Sequence, residues 1–148
     1  MTKIGVVFIL IIACSFLFSA CSPDVEQINP IEAVEKAMQQ QEQDWNNGDI
    51  EGFMSSYWND ENLIFIGRRG LSKGWQTTLD NYKKSYPDKE QMGRLLFQND
   101  TLIQMGAEVV FVAGRWSLFR KADTLAGAYS LTWELKNRNW VITTDHSS

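Results

Sequence analysis

Cysteine and histidine are almost missing from this chain: two Cys and one His among 148 residues. That scarcity excludes a disulfide-stapled scaffold, a four-cysteine zinc site and a histidine-rich metal cluster. Cationic excess is missing as well. Fourteen Lys and Arg stand against 18 Asp and Glu, a formal charge of −4, the wrong sign for a protein held to nucleic acid by phosphate contacts. With 3 Pro and 10 Gly the chain lies outside collagen-like and disordered compositions, and no phosphate loop, serine nucleophile elbow or calcium-loop spacing occurs. What is abundant is aromatic: eight Phe, six Trp and four Tyr. In a single domain of this length they imply a dense core or a cavity lined by rings.

The N-terminus reads as a targeting segment. Residues Ile4 to Phe18 are nearly all apolar behind one cation, Lys3, and end in Ser19 and Ala20 just before Cys21. The run is shorter than the roughly 20 residues that span a bilayer, and no basic flank follows it. A secretory signal peptide over 1–20 is the expectation. Phe18-Ser19-Ala20-Cys21 resembles the bacterial lipobox, with Phe18 where a smaller aliphatic residue is commoner, so Cys21 is the candidate lipidation site. Residues 21–28 then form a polar tether. Ser22 after the cysteine resembles lipoproteins passed to the outer membrane, which places the protein, exported, in the cell envelope.

The folded domain is expected over 29–148. Asn29-Pro30-Ile31-Glu32 reads as a helix start, with Asn29 as cap and Pro30 where its missing N–H costs nothing. Ile31, Val34, Met38, Gln41 and Trp45 fall on one face. Asn46-Asn47-Gly48 stops the helix, and Asp49 caps a second one carrying Ile50, Phe53, Met54, Tyr57 and Trp58. Leu63 to Ile66 reads as a buried strand ended by Gly67, and a third helix is expected from Ser72 to Tyr86. Four strands follow between Met92 and His146; whether Met92 to Met105 is one bent strand or two is open. Helices first and a meander second imply an α+β domain.

Hairpin registers then assign faces. With a two-residue Asn137-Arg138 loop, Leu135 opposes Trp140, Trp133 opposes Ile142, Leu131 opposes Thr144 and Tyr129 opposes His146. A second two-residue loop, Ala122-Asp123, sets Trp116 against Tyr129. This apolar face is expected beneath the helices. Arg115, Ser117, Thr132, Glu134, Thr143 and Asp145 take the mixed outer face, a surface suited to an isologous homodimer. Tyr57, Phe65, Trp75, Tyr82, Trp116, Tyr129, Trp133 and His146 are therefore expected around one cavity, with His146 the candidate catalytic base.

The order of helix hairpin, strand ending in Gly67, third helix and meander closes with Trp140-Val141-Ile142 and Asp145-His146-Ser147-Ser148. It resembles the nuclear transport factor 2-like (NTF2-like) superfamily, in particular its SnoaL-like and ketosteroid-isomerase-like bacterial branch. Asn46-Asn47-Gly48-Asp49 is a second, weaker match. The resemblance implies a cone-shaped α+β barrel, N-terminal helices packed on a curved, mostly antiparallel sheet around a pocket, often dimeric through the outer sheet face. It hosts isomerases, cyclases, dehydratases and non-catalytic binding modules, so the fold does not choose between them. An isomerase of the ketosteroid type needs a carboxylate in an apolar pocket with neutral donors beside it. Tyr57 and Tyr82 qualify as donors, but the expected registers leave no acid facing the pocket. The leading expectation is an envelope lipoprotein with a pocket for a small hydrophobic or aromatic molecule, without cofactor or metal. The alternatives are a cofactor-independent isomerase or cyclase and a structural dimerisation module.

Overall fold

Asn29 starts the first helix by accepting a hydrogen bond from the Ile31 N–H at 2.9 Å, and the computed structural model describes residues 29–148. The expected signal peptide, the Cys21 lipidation site and the tether lie outside the described residues. Helix α1, Pro30–Asn47, buries Val34, Met38, Gln41 and Trp45, the stripe its periodicity implies. Gly48 ends it in the left-handed region at φ 84°, a conformation that costs glycine little. Asp49 caps α2, Ile50–Ser55, by accepting from the Gly52 N–H. This helix is shorter than its spacing implies. Tyr57 and Trp58 leave it, and Tyr57 instead bridges in parallel to Ile142.

The sheet has six strands: β1 (Ile64–Gly67), β2 (Gly70–Lys73), β3 (Arg94–Gly106), β4 (Val109–Phe119), β5 (Thr124–Lys136) and β6 (Asn139–Ser147). Their spatial order is β2-β1-β6-β5-β4-β3. All neighbours are antiparallel except β1 and β6. Strand β2 corrects the expected helix start at Ser72. Gly70, at φ 94°, turns the chain back so that Ser72 pairs with Phe65, and helix α3 begins only at Trp75, running to Ser85. A short helix α4, Lys89–Met92, precedes the meander.

From Arg94 to Gly106 the chain is one bent strand, with Met92 left in α4: β3 carries a bulge at Asp100, between the pairs Asn99/Gly114 and Thr101/Ala113, which sharpens the local twist. Glu42 and Asn46 of α1 hold its near end. The Phe97 N–H donates to the Glu42 carboxylate at 2.6 Å, and Asn46 exchanges two hydrogen bonds with the Leu95 backbone. The helices thus cover the concave face, where Val110, Val112, Leu118, Tyr129, Leu131, Trp133 and Ile142 meet Val34, Met38, Trp45 and Phe53 in one core.

Candidate functional site

Two hairpins decide what faces the concave side. The β5–β6 turn is the expected two-residue one, with Asn137 and Arg138 both at positive φ, 50° and 67°, as a primed turn requires. The β4–β5 loop is longer. Phe119 pairs with Thr124, so Trp116 faces Gly127 and Tyr129 faces Gly114. That shift of two residues leaves every side chain on its expected face.

The decisive departure lies in β6. Trp133 pairs with Ile142, but Thr132 pairs with Thr144, so Thr143 is an extra residue. Its hydroxyl donates to the Glu134 carboxylate at 2.8 Å, which anchors the bulge from the outer face. Beyond it the alternation inverts. Leu131 opposes Asp145 rather than Thr144, and Tyr129 opposes Ser147 rather than His146. Asp145 therefore turns inward and is 2% exposed, while His146 is exposed and outside the cavity. The expected faces of these two residues are exchanged, because regular pairing was assumed through a strand that bulges.

Asp145 is held by two hydroxyls. The Tyr57 O–H donates to one carboxylate oxygen at 2.7 Å and the Ser147 O–H to the other at 2.5 Å. No ion pair satisfies it among the described residues. Burial therefore dominates, pushing its pKa up to about 6 against the lowering effect of both hydrogen bonds and of the nearby His146. Tyr57 is buried and its phenol is pushed well up, first by burial and next by the Asp145 charge; the same two causes act on Tyr82.

Around this group lies an open cavity of about 800 Å³. Tyr57, Phe65, Tyr82, Trp116 and Tyr129 line it as expected. Trp133 does not; it is fully buried in the core. Trp75 is also outside the lining, its indole N–H donating to the Met54 carbonyl at 2.9 Å, a tie between α3 and α2. Edge-to-face contacts of Tyr82 with Phe53 (5.2 Å) and Phe65 (5.8 Å) build one wall, and Phe97 against Tyr129 (5.5 Å) stands in another. Sequence reasoning missed Asp145, Ser147, Arg68 and Arg69 as lining residues. The signal for Asp145 was the polar pair Thr143-Thr144, where alternation along the strand breaks down.

Among the described residues no group of three or more His, Cys, Asp or Glu is arranged to hold a metal, and no helix is long and apolar enough to cross a membrane. The arrangement offers one carboxyl poised between its two protonation states and phenols that donate, inside a mostly apolar enclosure. Such a set can hydrogen-bond a polar group on a ligand or move a proton to or from it.

Scans against protein-family models and against curated proteins find no match. Solved structures are informative. An NTF-2-like protein of unknown function from Shewanella oneidensis MR-1 is 39% identical, superposes with a TM-score of 0.79, and matches over 81% of this chain and 99% of its own. Nearly the whole of that solved chain is matched, so the relative holds the fold with little chain besides it. An NTF2-like superfamily protein from Salmonella enterica serovar Typhimurium LT2 (16% identity, TM-score 0.61, 78% and 87% of the two chains) shares the fold. So does a ketosteroid isomerase-like protein from Erwinia carotovora atroseptica SCRI1043 (16%, 0.61, 78% and 92%). The helices laid across a bent six-stranded sheet, and the identity to the Shewanella protein over nearly its whole length, make this chain a member of the NTF2-like family.

Proposed function

We propose that this chain is an envelope lipoprotein whose cavity binds one small, largely apolar molecule, with Asp145 and Tyr57 contacting a polar group on it. The observation that carries the reading is Asp145 itself: a carboxyl 2% exposed, unpaired by any cation among the described residues, set in an aromatic wall. Burial of such a group is costly, and a cavity left open beside it lets a ligand share its hydrogen bonds. As an acid it donates; as a carboxylate it accepts. The test is titration of the domain, residues 29–148, with the neutral fluorophore N-phenyl-1-naphthylamine. Binding should occur in the wild type and be lost in Leu125→Trp, which fills the lining from β5. No binding, or binding indifferent to Leu125→Trp, refutes the reading.

The anchor rests on the apolar run before Cys21. Mass spectrometry of membrane-extracted protein should find an acylated N-terminal Cys21, and an unmodified Cys21 refutes it. A homodimer through the outer sheet face belongs to the same reading. Beside Arg115, Ser117, Thr132 and Glu134 that face carries Leu96, 42% exposed, and Ile103, 50% exposed, apolar area that a second copy would cover.

One observation favours a second reading, proton transfer of the ketosteroid-isomerase type. The pocket-facing acid that such chemistry needs is Asp145, held by the Tyr57 hydroxyl, with Tyr82 as the donor to the substrate. As a general base it must be ionised, so turnover should rise with pH through about 6. Deuterium exchange α to the carbonyl of an apolar cyclic ketone, present in wild type and absent in Asp145→Asn, would establish it. Equal exchange in both would exclude it.

A further inference from the structure

The cavity is apolar along its walls and cationic at one edge. Arg68 and Arg69, in the turn joining β1 to β2, both line it and both are exposed. Neither forms an ion pair among the described residues, whereas Lys83, Arg115, Arg120 and Lys136 each hold a carboxylate. Apart from Asp145 they are the charged side chains of the lining. On a chain of net charge −4 two adjacent unpaired guanidinium groups at a cavity rim are a local reversal of sign.

The turn is built to keep them there. A Cβ at Gly67 would come 2.9 Å from the Phe65 ring, so a larger residue there would push that lining ring aside. Gly70 at φ 94° then reverses the chain. Arg69 also acts on Tyr86, another lining ring: its charge, with that of Arg120, opposes the upward push of burial on that phenol.

We propose that the cavity takes an anionic amphiphile, its body among the rings and reaching Asp145 and Tyr57, its anionic headgroup on Arg68 and Arg69. The guanidinium fork suits a carboxylate, a sulfonate or a phosphate alike. This assignment rests on the binding reading above and narrows it to a class of ligand.

A matched pair of probes separates the two ideas. 1-Anilinonaphthalene-8-sulfonate adds an anionic group to the ring system of N-phenyl-1-naphthylamine. In the domain, residues 29–148, the sulfonate should bind about tenfold more tightly than the neutral probe, the scale of two charge-assisted contacts at a partly solvated edge. In the double variant Arg68→Gln/Arg69→Gln that advantage should vanish while the neutral probe binds as before. Equal affinity of the sulfonate for wild type and double variant, with the neutral probe still bound, overturns the headgroup assignment and leaves the pocket reading intact. Failure of both probes to bind the wild type overturns both. Displacement of the bound sulfonate by dodecanoate or dodecyl phosphate, but not by dodecanol, supports the assignment and shows which headgroup is preferred. Displacement by all three alike overturns it.

Discussion

Replacing Asp145 by Asn removes a titration and almost nothing else. The amide keeps the shape, and the Tyr57 and Ser147 hydroxyls can rotate to meet it. In the folded protein the Asp145 pKa stands at about 6, against 3.8 for an unperturbed aspartate. Between those values the folded state binds a proton the unfolded chain has released, so stability falls as pH rises. The contribution is fully present below about pH 4, is lost as pH climbs through 6, and is flat beyond. A difference of about two pKa units corresponds to roughly 3 kcal/mol. Glu51, Asp123 and Glu134 have lowered pKa values and push the opposite way, so the total curve mixes both signs. The difference between wild type and Asp145→Asn isolates the one group. Urea unfolding of both at intervals from pH 4 to 8 should show the variant gaining on the wild type by about 3 kcal/mol across that range. A difference that is level with pH, or that moves in the wild type's favour as pH rises, would mean that Asp145 is solvated or paired, and the reasoning about the cavity would fall with it.

Three other substitutions or measurements probe neighbouring links. Tyr57→Phe deletes the 2.7 Å hydrogen bond to Asp145; it should raise the Asp145 pKa further, seen in a carboxyl-carbon NMR titration, and cost about 1–3 kcal/mol above pH 7. An unchanged titration would deny that bond. Gly114→Ala places a Cβ 2.3 Å from the Gln98 carbonyl and 2.6 Å from the Tyr129 hydroxyl, which must displace the Tyr129–Asn99 hydrogen bond; a loss of about 1–3 kcal/mol is expected in denaturant melts, and a neutral result would refute the close approach. Sedimentation of the domain should show a dimer at micromolar concentration that dissociates in Leu96→Glu/Ile103→Glu, whereas a monomeric wild type removes the outer-face interface.

Much of the architecture was legible because it depends on local chemistry. Asn29, Gly48 and Asp49 punctuate the two helices by capping rules that need no tertiary information, and Asn137-Arg138 forms a turn whose length its flanking strands enforce. Strand β2 was hidden because its signal is two glycines around a charged pair rather than an apolar alternation, and Leu71 stays 66% exposed in it. Trp116 and Tyr129 kept their cavity side, since a shift of two residues at the β4–β5 loop preserves faces, while Trp75 and Trp133 pack outside the lining. The carboxyl changed sides. A bulge changes parity by one and is stabilised by partners remote in sequence, here Glu134 and the Thr132 carbonyl for Thr143. They stand nine and eleven residues before Thr143, on the neighbouring strand, and meet it only once the hairpin has paired.

That single extra residue gives β6 two possible frames, like a message that can be read from either of two starting letters. In the straight frame Thr144 and His146 would be displayed to the cavity; in the bulged one Asp145 and Ser147 are, beside Phe65 of the parallel neighbour. Length, composition and the hairpin turn are the same in both. Deleting Thr143 would not switch frames, because the residues beyond it would close up with Asp145 still inward; moving the bulge past Asp145 would. The strand thus stores an acid and an imidazole back to back, and a change confined to its pairing, with no alteration of either side chain, would decide which of the two meets a ligand.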